Sequence, residues 1–207
     1  MKKEEQIWWQ RFMMADSDKW RKELCRLKCD ENFLLGLDMV KVFDDENDLK
    51  LFCRLNDQHD RCLRDCGFNG QKVNMHNYIC KHHYQKLAYL LPCYKYAVPI
   101  LRRECRTKRC GPHTFDKIDN AIIGYEYRCH LLICDIKCTT NVLIRSCAGN
   151  YGQQAAHFIM NYTSTQVSFW MEDLTKKLYL TKNYLERMSP SCSKLLCQQS
   201  DHRRCFL

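Results

Sequence analysis

The sequence predicts an all-α protein, a disulfide-rich stack of antiparallel helices with little or no strand. Residues that interrupt helices are few, with 7 glycines and 4 prolines among 207 residues. The β-branched residues Val, Ile and Thr together number only 24, which also favours helix over strand. The 16 cysteines form an even set, as full pairing requires. Many of them stand four residues apart, a spacing that puts two side chains on one face of a helix.

Apolar residues recur at helical spacing along most of the chain. The first helix is predicted over 7–30 and the second over 47–66, with its end at Gly67. A break is expected at Leu91-Pro92. The other predicted helical segments are 74–91, 94–110, 115–147, 151–188 and 192–205, with breaks inside the two longest. The predicted domains are an N-terminal helical segment, 1–46, a cysteine-rich helical domain, 47–174, and a C-terminal helical extension, 175–207.

The cysteine spacing favours disulfides over zinc. Structural zinc sites prefer Cys-x2-Cys, which is absent from the sequence, whereas Cys-x3-Cys occurs three times. Two cysteines one turn apart can bridge to two on a facing helix and lock a helical hairpin. The pairing itself stays open, because sixteen cysteines allow about two million full pairings. The predicted disulfide cysteines are Cys25, Cys29, Cys53, Cys62, Cys66, Cys80, Cys93, Cys105, Cys110, Cys129, Cys134, Cys138, Cys147, Cys192, Cys197 and Cys205.

Abundant disulfides predict an oxidising compartment, and therefore a secreted, extracellular protein. The charged start, residues 1–6, is followed by no apolar signal segment. We therefore expect that a signal peptide has been removed and that Met1 is an added start residue. A leaderless protein with free cysteines is the alternative. The longest apolar runs, such as 131–134, are too short to span a membrane. Asn161 begins an Asn-Tyr-Thr sequon and is a possible N-glycosylation site.

The order of the cysteines resembles a known family. The motifs are Cys53-x8-Cys62-x3-Cys66, Cys80-x12-Cys93 and Cys129-x4-Cys134-x3-Cys138-x8-Cys147, followed by Gly149. Over roughly 52–174 they are similar to the cysteine-rich domain named after chondroitin proteoglycan 4, found in secreted nematode proteins. The resemblance implies a secreted, all-helical, disulfide-bonded module, some of whose relatives are linked to proteoglycans of the egg and extracellular matrix. Chondroitin attachment needs Ser-Gly, and no serine here precedes a glycine, so we expect no such chain.

One short motif invites a catalytic interpretation. His59-Asp60-Arg61-Cys62 resembles the His-Asp-x-Cys of secreted phospholipases A2, in which the resemblance would make His59 the base that activates water. The glycine-rich calcium loop is missing, since 40–58 contain no glycine. We therefore predict no catalytic residue, and a phospholipase-like hydrolase centred on His59 and Asp60 stays the alternative. No metal site or cofactor is predicted, because adjacent histidines such as His82 and His83 diverge by about 100° on a helix.

Charge is unevenly distributed in this basic chain, which carries a formal net charge of +9. An acidic segment, 38–48, has a net charge of −4, and the ten residues 101–110 have a net charge of +4. The predicted patch for an anionic partner consists of Arg102, Arg103, Arg106, Lys108 and Arg109. Outside the cell such a patch meets sulfated glycans, anionic lipid or acidic proteins, whereas nucleic acid does not suit this compartment. The plainer interpretation is a solvated helix face.

These observations predict a secreted, non-catalytic binding or structural module that acts on extracellular matrix, glycan or protein partners. A secreted effector that binds a host protein has the same architecture and is a further alternative. The sequence leaves the oligomeric state open.

Overall fold

A computed structural model describes residues 2–37, 45–68, 75–105, 110–111, 122–179 and 189–196, with side chains described from Asp18 onward except at Lys177. The regular structure of these residues is entirely helical, which confirms the predicted fold class. The elements are α1 (Lys2–Leu37), α2 (Glu46–Asp65), α3 (Met75–Asn77), the π-helix π1 (Tyr78–His83), α4 (Tyr84–Glu104), α5 (Ile122–Ser146), α6 (Asn150–Leu178) and α7 (Pro190–Leu195). The chain divides into two compact units, Met1–His83 and Tyr84–Leu207. This division falls inside the segment 47–174 that the sequence predicts as one domain.

Seven disulfides join the cysteines of the described residues, and each one lies within a single unit. The first unit contains Cys25–Cys66, Cys29–Cys62 and Cys53–Cys80. The second unit contains Cys93–Cys147, Cys105–Cys138, Cys110–Cys134 and Cys129–Cys192. Among the described residues no cysteine is free, and Cys197 and Cys205 lie outside them. The disulfide prediction is therefore confirmed for these fourteen cysteines.

The first unit is organised by a hairpin of α1 and α2. Two bridges one helical turn apart, Cys25–Cys66 and Cys29–Cys62, join the two helices. This is the clamp that the Cys-x3-Cys spacing predicts. The third bridge, Cys53–Cys80, attaches π1 to α2.

Local signals define both ends of α2. At its start the Asp45 carboxylate accepts hydrogen bonds from the backbone N–H groups of Asn47 and Asp48, at 2.8 and 3.0 Å. Such a cap satisfies N–H groups that have no partner inside the helix. At its end Gly67 has a φ of 78°, and the Phe68 N–H donates to the Leu63 carbonyl at 3.0 Å. This is a Schellman ending, which confirms the predicted stop at Gly67.

The second unit packs α4, α5, α6 and α7 against one another. Its central cluster of buried side chains is Tyr125, Cys129, Ile136, Val167, Met171, Leu174, Cys192 and Leu195. The Cys129–Cys192 bridge ties α7 into this cluster. The Glu126 carboxylate accepts from the Ser191 N–H through both oxygens, at 3.0 and 3.1 Å. A side chain from α5 thus supplies the acceptor at the start of the short helix α7.

The predicted break at Leu91-Pro92 is wrong, because α4 runs unbroken through Pro92 and Pro99. A proline inside a helix loses one backbone hydrogen bond and costs about 3 kcal/mol. Both prolines of α4 are exposed, while the neighbouring Leu91 and Ala97 are buried. Burial of the helix face that carries Leu91 and Ala97, together with the Cys93–Cys147 bridge, offsets the free-energy cost of the two prolines.

We predict that Gly152→Ala destabilises the second unit by about 2 kcal/mol through overpacking. A Cβ at this position would lie 2.4 Å from the Leu143 carbonyl oxygen and 3.0 Å from the Ile144 Cα. Backbone atoms cannot move aside as a side chain can. Chemical unfolding of the variant measures the loss.

Gly36→Ala is the matched control for this prediction. It also lies inside a helix, but its new Cβ would meet only the Leu55 side chain, at 2.7 Å. Since alanine is the better helix former by about 1 kcal/mol, we expect little loss there. Equal losses at Gly36 and Gly152 would contradict the close approach of α5 and α6.

Candidate functional site

A cluster of positive charge lies at the end of α4. Arg102 and Arg103 are exposed in its last turn. The other members of the predicted patch, Arg106, Lys108 and Arg109, lie outside the described residues. The cysteines that flank them are Cys105 and Cys110, which bridge to Cys138 and Cys134. Because Cys134 and Cys138 are one turn apart on α5, both ends of the basic segment are attached to the same face of that helix.

The structure adds one arginine that sequence reasoning missed. Arg145 of α5 donates a hydrogen bond to one oxygen of Glu104, and Arg103 donates to the other at 3.0 Å. The hydrogen bond from Arg145, followed by that from Arg103, lowers the pKa of the Glu104 carboxyl. Arg145 is 41 residues away in sequence. The bridges Cys93–Cys147 and Cys105–Cys138 bring α4 and α5 together here, and the sequence leaves both pairings open.

We name the three exposed guanidinium groups of Arg102, Arg103 and Arg145 the cationic end of the second unit. The Glu104 carboxylate pairs with two of them, Arg103 and Arg145. The carboxylate holds Arg103 and Arg145 in place, while the local net charge stays at +2. A group of this kind suits closely spaced oxyanions such as the sulfate esters along a glycan, because guanidinium groups bind oxyanions through pairs of N–H donors.

His59 and Asp60 lie in the first unit and make structural contacts. The His59 Nε2 is 2.8 Å from the Asp30 Oδ1 across the α1–α2 hairpin. The Phe33 ring stacks on the imidazole with 4.7 Å between ring centroids, and only 12% of the His59 side chain is exposed. The Asp60 carboxylate accepts from the Lys81 Nζ at 2.6 Å. Both side chains therefore tie α2 to its neighbours.

The free nitrogen of His59 determines what this histidine can do chemically. With Nε2 directed at Asp30, the remaining nitrogen is Nδ1, which is buried and has no hydrogen-bond partner among the described residues. A general base needs to reach the proton of a water or substrate. The Phe33 ring that lies on the imidazole is itself buried. The geometry thus supports a packing role for His59.

A buried polar network continues beside His59. The Asn56 Nδ2 donates to the Asn77 Oδ1 at 2.9 Å, and both residues are buried. His76 contacts the Phe33 and Phe52 rings, with centroids 5.1 and 5.3 Å away. Burial, and then the nearby His59, lower the pKa of His76. The sequence carries no local signal for this, because the burial of His76 depends on α1, α2 and α3 together.

The structure also places the predicted N-glycosylation sequon. Asn161 lies inside α6 with its Nδ2 3.1 Å from the His157 Nε2. The Thr163 hydroxyl of the same sequon is buried and donates to the Ile159 carbonyl. A glycan transferase would therefore have to act on this sequon before α6 forms.

One group of potential metal ligands occurs in the described part of the chain. The sulfur atoms of Cys25, Cys29 and Cys66 lie within 4.8 Å of one another. All three belong to disulfides, and a disulfide sulfur has no thiolate to donate to a metal. The proximity is a consequence of two neighbouring bridges. None of the described helices combines the length and the apolar character needed to cross a bilayer.

Comparisons with family models, with curated proteins and with solved structures find no match to this chain. The class that the fold defines is a disulfide-rich, all-α protein with its helices clamped in pairs.

We predict that acidification destabilises the first unit through His76. Because its pKa is lowered from the usual 6.5 in the folded chain, the unfolded chain takes up a proton more readily. The first unit therefore keeps its full stability above about pH 6.5 and loses stability as the pH falls below that value. His76→Phe keeps the ring contacts and removes the titration. Its melting temperature should fall less than that of the wild type between about pH 7.5 and about pH 5.

His82→Gln is the control, since the His82 side chain is exposed. This variant should show the same acid-induced fall in melting temperature as the wild type. If His76→Phe and the wild type lose stability equally on acidification, burial of the imidazole is not the cause.

Proposed function

We propose that the chain is a secreted, non-catalytic binding module whose cationic end attaches to sulfated glycans of the extracellular matrix. The cationic end of the second unit is the observation that carries this proposal. Its three guanidinium groups are exposed, and two of them are held by Glu104. The basic segment between Cys105 and Cys110 adds three further charges to the same region of the chain. An acidic extracellular protein is the alternative partner.

The disulfides support the secreted location. Seven bridges among the described residues are typical of proteins that fold in an oxidising compartment, since cytosolic thiols are kept reduced. The cysteine order that resembles the chondroitin proteoglycan 4 domain supports the same class. The proposal does not depend on that resemblance.

The surroundings of His59 support the non-catalytic part of the proposal. Its contact with Asp30 and its stacking under Phe33 leave the imidazole enclosed in a helical hairpin. Asp60 is likewise engaged by Lys81. The residues of the one catalytic motif in the sequence thus serve to hold α1, α2 and π1 together.

We predict that neutralising the cationic end weakens retention on a heparin column. The variant Arg102→Gln, Arg103→Gln, Arg145→Gln should elute at a lower salt concentration. Each charge contact with a linear polyanion contributes about 0.7–0.9 to the slope of log affinity against log salt, so three lost contacts lower it by about 2 to 3. A second variant adds glutamine at Arg106, Lys108 and Arg109.

Two controls make this experiment specific. Lys19→Gln, Arg54→Gln and Arg61→Gln remove three exposed charges from the first unit and should change elution far less. Glu104→Gln removes the one carboxylate of the cationic end and should raise the elution salt. Unchanged elution of both arginine variants would refute the glycan proposal.

We also predict that the protein from its natural source contains no free thiol. Eight bridges would make the oxidised chain about 16 Da lighter than the reduced chain, since each bridge removes two hydrogens. Alkylation under denaturing, non-reducing conditions, followed by intact mass spectrometry, tests this directly. Alkylation at Cys25, Cys29, Cys62 or Cys66 would contradict the oxidised hairpin and the secreted location together.

A further inference from the structure

The outward side of α1 carries a row of exposed apolar side chains. Trp20, Leu24, Leu27 and Leu34 are 65%, 56%, 53% and 61% exposed, and the adjacent Leu35 is 60% exposed. Large apolar side chains that stand together on a surface mark an interaction site more often than scattered ones do. The row is therefore a candidate interaction surface.

The spacing of this row is that of a coiled-coil seam. Positions 20, 24, 27, 31 and 34 alternate by four and three residues, which is the d-a-d-a-d pattern of the heptad repeat. The inward side of α1 carries Cys29 and Phe33, which are buried against the first unit. Helix α1 thus has two apolar sides, of which the hairpin uses only one. We name the outward row the α1 seam.

Charges on the two flanks of the α1 seam indicate what covers it. In the heptad frame the g positions hold Glu23 and Asp30, and the e positions hold Arg21 and Lys28. In a parallel pair of helices each g residue lies near the e residue of the following heptad on the partner. Glu23 of one copy would then face Lys28 of the other, twice by symmetry. An antiparallel pair would instead place acidic flank against acidic flank.

We propose that the α1 seam is a dimer interface, in which two copies of this chain pair through α1 as a parallel, two-stranded coiled coil. The flanks are self-complementary in this arrangement, as a two-fold interface requires. Existing contacts permit it, because the Glu23–Arg26 ion pair is exposed and of little energetic value. Glu31 occupies the one charged position inside the seam. It weakens the dimer, because the two Glu31 carboxylates meet at the same level of a parallel pair and repel each other.

Light scattering after size-exclusion chromatography, at about 100 µM chain, measures the proposed association. The wild type should have the mass of a dimer, and Leu24→Glu with Leu27→Glu should have the mass of a monomer. These leucines lie opposite the bridged side of α1, so the helix content and the disulfides should be retained. The matched control replaces two exposed apolar residues of the second unit, Tyr96→Glu and Ile123→Glu, which are 63% and 82% exposed. It should remain a dimer.

Charge variants test the parallel orientation. Glu23→Lys places two lysines opposite each other in a parallel dimer and should raise its dissociation constant about tenfold. The double variant Glu23→Lys, Lys28→Glu restores opposite charges and should recover wild-type association. In an antiparallel dimer Glu23→Lys would strengthen association instead. Glu31→Leu removes the charge from the seam and should lower the dissociation constant.

Three results would overturn the proposal. The first is a wild type that stays monomeric at every concentration tested, and the second is a leucine variant that still forms dimers. The third is a Glu23→Lys variant that associates more tightly than the wild type, which would exclude the parallel arrangement. The heparin experiment changes residues of the second unit, whereas the dimer experiment changes residues of the first. A negative heparin result would therefore leave the dimer proposal unaffected.

Discussion

Pairs of disulfides whose cysteines stand one turn apart on a single helix are the constraint on which both units depend. A single bridge fixes a distance but leaves two helices able to rotate about it. A second bridge one turn away removes that rotation and fixes the register. In the first unit this clamp is Cys25–Cys66 with Cys29–Cys62. In the second unit Cys105–Cys138 and Cys110–Cys134 are likewise anchored one turn apart on α5.

The bridges determine which charged side chains of neighbouring helices meet. His59 lies one turn from Cys62 and meets Asp30, the neighbour of Cys29. Glu104 directly precedes Cys105 and meets Arg145, which lies two turns beyond the bridged Cys138 on α5. The hydrolytic interpretation of the sequence paired His59 with Asp60, whereas the structure places the His59 imidazole against Asp30 and the ring of Phe33. These contacts favour a packing role for His59.

The clamps also change what the apolar residues are needed for. Each bridge stabilises the folded chain by roughly 2–4 kcal/mol, so α1 stays attached to α2 although, from Asp18 onward, only Cys29 and Phe33 of its side chains are buried. The leucines on its other side are then free to serve an interface. A parallel dimer through the α1 seam would present two cationic ends on one assembly, and two linked sites bind a repeating polymer more tightly than one.

The sequence by itself determined what depends on neighbours within one or two turns of chain. The helical class, the clamp built on Cys25 and Cys29 and the end of α2 at Gly67 all rest on such short spacings. Only the tertiary structure decided the partners of the fourteen described cysteines, the passage of α4 through Pro92 and the meeting of Glu104 with Arg145. These depend on contacts between distant segments, and the local propensities that a sequence displays are overridden when burial and a covalent bridge together outweigh them.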